Sequence, residues 1–457
     1  MMGTDQGVDS KSKEILEDYS LRPVPEEQKK RWIDMAVVWI GVAVVMSALL
    51  RGMMIGLGLG SINRVLLAYG LGELILILIM IFTGYLGART GLSTPLLASQ
   101  TFGSRGALLI SLLLGLAFLG WFAVQAGLFA ETMAVFFPWS FSRVWLSLAS
   151  GLAMMLPVLF GFRGLKALSW LAVPPMLLAF FYAAFKVGFK FLPRPELIRL
   201  AQAHQPSPYP LNLGEAASLV AGGFIVGAVT SADIFRYARP RWVEVAAAAT
   251  MAMVVSALMQ LTGSTLAMAT GLYHEELPRI IINQEFAGLG FLGFLAIALA
   301  QWTTNDSNLY SSVLAFKNLV RVRRWKLTLL LGLAASVLAA AGWLNRLSLF
   351  LSLLAIACGP VGGILLVDHY LIRKKNVPER KAEIFRHENN SPGLNWIALI
   401  AYFLGFLSGW LTSGHPWRPA LFPFSIFAFN GILGGGFFYG SLKLLEKYLK
   451  NRKRKEK

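Results

Sequence analysis

The chain has 457 residues, a formal net charge of +18, 56% hydrophobic residues and a mean hydropathy of +0.59. A soluble domain of this size does not need so much apolar surface, so a soluble globular protein is excluded. The basic residues lie between apolar stretches, so membrane topology accounts for the charge and nucleic acid is not an expected partner.

Apolar segments of about 18 residues or more recur from end to end, unbroken and of helix length, which predicts an all-α polytopic membrane protein and disfavours a β-barrel. The single cysteine, Cys358, excludes a disulfide and a cysteine-based metal cluster. Residues 1–33 are polar and charged and lack the apolar core of a cleaved leader, so they are expected to form a cytoplasmic N-terminal segment.

The pattern predicts twelve spans, at roughly 34–59, 65–88, 106–137, 144–162, 165–188, 214–235, 242–271, 286–319, 326–343, 346–371, 394–412 and 420–445. Connections on one side are basic, with Lys29-Lys30-Arg31, Arg163 and Lys166, Arg236 to Arg241, Arg321 to Lys326, and Arg373-Lys374-Lys375. Those on the other side hold mostly single arginines, apart from Lys190, Arg194 and Arg199 in the 187–213 connection. The positive-inside bias therefore puts both termini in the cytoplasm of a multi-pass cell-membrane protein. A transport core is expected over 34–371, a cytoplasmic linker over 372–393 and two accessory helices over 394–445. The basic tail at 446–457 would face anionic lipid.

Two spans look interrupted. The first carries Gly41, Gly52, Gly56, Gly58 and Gly60, and the sixth carries Gly222-Gly223-Phe224 and Gly227. Glycine lowers helix stability and permits a break, although small residues also serve close packing. Interruptions five helices apart point to a transporter built from two inverted five-helix repeats.

Arg51 in the first span and Glu73 in the second both lie on the order of 12 Å from the short turn between them. A lone charge at that depth is costly, so a structural Arg51–Glu73 ion pair is expected. In the third span Trp121 and Gln125 share a helix face one turn apart, so the indole could stack on a flat ring while the amide bonds its edge. Phe224 at the second break is a further ring platform. Asp233, near the cytoplasmic end of the sixth span, is expected to cap a helix or pair with Arg236.

The eighth span holds the polar block Gln301-Trp302-Thr303-Thr304-Asn305-Asp306-Ser307-Asn308. Polar side chains at bilayer depth face a cavity or a partner rather than lipid. One such residue would read as interhelical glue, but a dense block argues for a cavity. The Thr303 and Thr304 hydroxyls suit a small hard cation, and the Asn305 and Asn308 amides suit an uncharged polar solute.

With these residues in hand, the chain resembles the nucleobase:cation symporter-1 family on its cytosine permease branch, over nearly its full length. The resemblance rests on Asp18–Pro25, Gly84–Thr94, Gly120-Trp121-Phe122, Thr230–Arg239, Trp302–Asp306, Pro360-Val361-Gly362-Gly363 and Asp368-His369-Tyr370. It implies a leucine-transporter-type core with two extra C-terminal helices, and uptake of a nucleobase or related ring driven by sodium or protons, with no cofactor. It also implies Thr303 and Thr304 as sodium ligands, completed by backbone carbonyls near Val45. Trp121 and Phe224 resemble the ring-stacking pair, Asn305 a substrate-bonding amide, and Gln125 the substrate glutamine of hydantoin-type relatives. The chain departs from the cytosine permeases at Phe118, Gly223, Val226 and Ala300, where they carry edge-recognising polar residues. Missing hydrogen bonds discriminate strongly between polar rings. A purine, a hydroxymethylpyrimidine or another thiamine-precursor ring is therefore expected as much as cytosine.

The competing class is a membrane-embedded lipid-modifying enzyme. Its support is thin: His204, His274, His369, His387 and His415 fall in or near connections, and there is no His-Glu-x-x-His. A channel would lack occluding aromatics, and a sensing receptor would carry an output domain. No obligate protein partner is expected.

Overall fold

The computed structural model describes Tyr19 and residues 22–137, 142–160, 162–191, 210–272, 276–317, 319–373, 393–413 and 425–455. Among the described residues the regular elements are helices, apart from one isolated bridge between Lys30 and Ala238. The first span is α1 (Trp32–Ala43) and α2 (Met46–Leu59), bent by 56° at the break. Then follow α3 (Ile62–Thr90), α4 (Thr94–Phe136), α5 (Arg143–Met154) and α6 (Phe162–Phe191). The sixth span is cut into α7 (Leu213–Gly222), α8 (Ile225–Val229) and α9 (Ala232–Phe235). After it come α10 (Trp242–Thr270), α11 (Leu277–Ile282), α12 (Gly290–Lys317), α13 (Arg324–Ala340), α14 (Leu347–Leu366), α15 (Trp396–Thr412) and α16 (Phe427–Lys455). Most of the 372–393 linker, most of the basic 187–213 connection and every histidine except His369 lie outside the described residues.

Among the described residues six helices are long and apolar enough to cross a membrane, or seven with α1 and α2 taken as one bent span. The others fall short for physical reasons visible in the sequence. The polar block lowers the hydropathy of α12, and α7 is shortened by the break. Leucines and phenylalanines such as Leu74, Leu109, Leu178 and Phe185 are exposed on the outer faces, where acyl chains would cover them.

The bend in the first span falls at Val44 (φ −80°, ψ 80°) and Val45 (φ −140°, ψ 148°), not at a glycine. The glycines of α2 instead let α10 approach. A Cβ added to Gly52 would stand 1.9 Å from the Gln260 carbonyl oxygen, and one added to Gly263 would stand 2.0 Å from that of Leu49. The contact is backbone against backbone, which small residues alone allow. Ser264 Oγ donates to the Gly52 carbonyl at 2.7 Å and so fixes the register.

Arg51 and Glu73 do not form the expected ion pair: no guanidinium nitrogen lies within 4.0 Å of a Glu73 oxygen. Equal depth does not set azimuth, and the two side chains leave their helices toward different neighbours. Glu73 turns to α10, where its Oε1 accepts from Ser256 Oγ at 2.9 Å and Gln260 Nε2 at 2.7 Å. Arg51 turns to the break in the sixth span, where its Nη1 reaches the Gly223 carbonyl at 3.4 Å.

Asp233 Oδ1 accepts from the Thr94 amide at 2.7 Å, capping the start of α4 from another helix. Arg236 is fully buried and donates to the Tyr19 carbonyl at 2.7 Å and the Tyr310 hydroxyl at 2.8 Å, tying the N-terminal segment to α12. At the end of α14, Asp368 accepts from Thr101, Tyr439 and Arg373 and joins α4 to α16.

Three substitutions, one of them a control, test this packing by thermal unfolding in detergent. Gly263→Ala is expected to lower stability by about 1–3 kcal/mol, because the methyl has no room beside Leu49. Gly70→Ala, with nothing within 4 Å of the added methyl, serves as the control without loss. Gln260→Leu removes a donor from the buried Glu73 carboxylate and is expected to cost about 1.5–3 kcal/mol.

Candidate functional site

The two breaks face each other across one chamber. Its empty space, counted together with the open solvent it meets, is about 540 Å³. Its walls come from α1 and α2 (Trp39, Val42, Val45, Ser47, Arg51), α4 (Phe118, Trp121, Gln125), the sixth-span break (Gly223, Phe224, Gly227, Ile234) and α12 (Thr304, Ser307, Asn308, Ser311). Apolar walls with a few convergent polar groups are the usual make-up of a small-molecule site.

Of the residues expected to bind substrate, Trp121, Gln125 and Phe224 line the chamber. Trp121 is held edge-on by Phe350, with centroids 5.4 Å apart and planes at 70°. Gln125 Nε2 donates to Ser47 Oγ at 3.1 Å, while its Oε1 has no hydrogen-bond partner among the described residues. Phe224 stands at the start of α8 (φ −132°, ψ 1°) and packs against Trp39, with centroids 5.9 Å apart. Trp39 is an aromatic wall that sequence reasoning missed. It sits in an apolar run, and the only signal was its position one turn before the break.

Asn305 does not reach the chamber, contrary to expectation. Its Nδ2 donates to the Phe122 carbonyl at 3.2 Å and lies 3.1 Å from Met154 Sδ, on the side of α12 facing α4 and α5. Asn308, three residues on, lines the chamber in its place. A rotation of about 100° per residue decides which asparagine points inward, and composition does not encode that phase. Gln301 and Asp306 are also absent from the chamber walls. Both are fully buried, and their side-chain polar atoms have no hydrogen-bond partner among the described residues.

Thr303 and Thr304 meet the first span at its break. Thr303 Oγ1 donates to the Gly41 carbonyl at 3.0 Å. Thr304 Oγ1 donates to the Val42 carbonyl at 3.2 Å and lies 3.4 Å from that of Gly41. The carbonyls within reach are thus those of Gly41 and Val42, a turn before Val45. Because α1 stops at Ala43, these two carbonyls lack the amides that a continuing helix would supply. The C-terminal end of α1 also carries the negative pole of its dipole. Neutral hydroxyl and carbonyl oxygens at a negative helix end suit a hard cation rather than a soft transition metal.

Comparison with known proteins identifies the family to which the chain belongs. Residues 23–434 match the family model described as permease for cytosine/purines, uracil, thiamine, allantoin. A cytosine permease of Escherichia coli O157:H7 is 32% identical over 92% of this chain and 93% of its own. A hydantoin permease of Microbacterium maritypicum is 24% identical over 83% of this chain and 81% of its own. Among solved structures, a nucleobase-cation-symport-1 family transporter in a closed conformation with bromovinylhydantoin bound aligns with a TM-score of 0.72. It is 18% identical, and the alignment covers 93% of this chain and 95% of that one. A sodium-coupled sialic acid symporter aligns with a TM-score of 0.64 at 12% identity, over 95% of this chain and 92% of that one. The family and these relatives are transporters, which sets aside the lipid-modifying enzyme. The chain is a multi-pass membrane permease of the nucleobase:cation symporter-1 family.

Proposed function

We propose that this protein imports a planar nucleobase-like heterocycle together with sodium, by alternating access across the cell membrane. The observation that carries the reading is the junction of Thr303 and Thr304 with the Gly41 and Val42 carbonyls, next to a chamber walled by Trp121, Phe224 and Trp39. Thr304 and Val42 belong to both. An ion and a ring would therefore share a wall, and each would favour the geometry the other needs.

Sodium would take the Thr303 and Thr304 hydroxyl oxygens and the carbonyl oxygens at the end of α1. That clamps α1 to α12 and holds the bent conformation against which the ring packs. Trp121 and Phe224 would flank the ring, with Gln125 and Asn308 directed to its edge. Coupling between two such sites is typically about 1–3 kcal/mol and reciprocal, so sodium tightens ring binding as much as the ring tightens sodium binding. Transport follows when one bundle rocks against the other around the chamber. In this reading the twelve spans comprise two inverted five-helix repeats over 34–371 and two accessory helices over 394–445. Both termini are cytoplasmic, and the basic tail lies against anionic lipid. The broken first and sixth spans support the repeat, being interrupted at corresponding positions.

The test is uptake into proteoliposomes of cytosine, purines and hydroxymethylpyrimidine under an inward sodium gradient, with a proton gradient as the comparison. Sodium-driven, saturable uptake of one such ring is expected, and uptake driven by protons alone would replace sodium as the coupling ion. Thr303→Ala is expected to weaken sodium binding by about tenfold or more, while ring affinity measured without sodium stays unchanged, because Thr303 does not line the chamber. Trp121→Ala is expected to weaken ring binding about tenfold with sodium affinity retained, because it removes a stacking face.

A further inference from the structure

Within the heterocycle-binding reading just given, one wall of the chamber is chemically distinct. Arg51 carries the one formal charge among the lining residues, and no carboxylate lines the chamber. Its side chain is 3% exposed. Among the described residues its Nη1 makes a single long contact, 3.4 Å to the Gly223 carbonyl, and its Nε has no hydrogen-bond partner. Burying a guanidinium with donors unspent is costly unless something supplies acceptors.

Glu73 does not spend them. It lies close enough for its charge to act on Arg51 but is held to α10 by Ser256 and Gln260, outside the chamber. The carboxylate thus compensates the buried charge at a distance while the fork of donors remains available. The break in the sixth span makes room for this placement. A Cβ at Gly223 would stand 2.4 Å from Arg51 Cζ and Nε, so a side chain there would displace the guanidinium. Glycine at 223 and arginine at 51 are therefore one arrangement. A second feature points the same way. Helix α2 begins at Val45 with no side chain capping its first amides, and Val45, Ser47 and Arg51 all line the chamber. The positive end of a helix and a guanidinium one and a half turns along it both favour negative charge.

We infer that the transported ring carries an anionic oxygen on its edge, a carboxylate or an equivalent ring oxyanion, and that Arg51 selects it. Charge-assisted hydrogen bonds from a guanidinium are about twice as strong as neutral ones and can be bidentate to a carboxylate. An anionic ring would also gain from sodium at Thr303 and Thr304, so ion and substrate would attract one another across the shared wall.

Matched acid and neutral pairs test this: orotate against uracil and nicotinate against nicotinamide, with affinities measured on the purified full-length protein at neutral pH in saturating sodium. At least one acid is expected to bind about 10- to 100-fold more tightly than its neutral partner. Arg51→Gln is expected to erase that preference while sodium stabilisation persists. Because Glu73 would then lack its compensating charge, the double variant Arg51→Gln with Glu73→Gln gives the same comparison with neither charge buried. Gly223→Ser, which leaves Arg51 in the chain but takes its space, is expected to reduce the preference as well. Neutral rings binding at least as tightly as their acids would overturn the inference, as would a preference that survives in the folded double variant. Sodium-dependent binding of neutral rings alone would leave the heterocycle reading standing and this inference fallen. Binding of no ring, charged or neutral, would remove both.

Discussion

The contact of the Thr303 and Thr304 hydroxyls with the Gly41 and Val42 carbonyls depends on a helix that ends in mid-membrane. A continuous helix satisfies its own carbonyls, and in a bilayer it has to, because water is not there to do so. Ending α1 at Ala43 leaves carbonyls in need of donors, and α12 supplies them as hydroxyls at 3.0 and 3.2 Å. A hydroxyl can give up a hydrogen bond to a carbonyl and present its own lone pair to a cation at little cost. The same atoms hold the break together and, in the proposed reading, would receive the ion.

The rest of the architecture keeps that break in place. Helix α10 runs along both halves of the first span, and its contact with α2 is drawn tight at Gly52 and Gly263. Helix α1 packs in addition on α6 and α12, whereas α2 packs on α3 and α7. Apart from the shared α10, the two halves thus rest mainly on different neighbours. On the other side of the chamber the sixth span is interrupted at Gly223 and Phe224. There the flexible backbone accommodates an aromatic ring and a guanidinium in adjacent positions.

Much of this was legible in the residues. Apolar segments marked a helical multi-pass membrane protein, and glycine clusters led to the two interrupted helices. The pair Trp121 and Gln125, one turn apart, and Phe224 beside the second break do come together in one chamber. What the sequence lacked was azimuth. Depth along a helix can be counted, but the direction a side chain takes depends on packing, so Asn308 rather than Asn305 faces the chamber and Arg51 parts from Glu73. Glycine was misleading in the first span, where it serves close approach and the bend falls at two valines. Trp39 gave no signal beyond its place one turn before the break, because an aromatic in an apolar run resembles any core residue.

The most direct test of the ion junction is hydrogen–deuterium exchange of the purified protein with and without sodium, read over residues 41–48 and 300–308. If sodium binds between the end of α1 and Thr303 and Thr304, amides in both segments will exchange more slowly in sodium than in an equal concentration of choline, and the slowing will be lost in Thr304→Ala. Unchanged exchange in these segments, with sodium protection appearing elsewhere in the chain, would contradict the account.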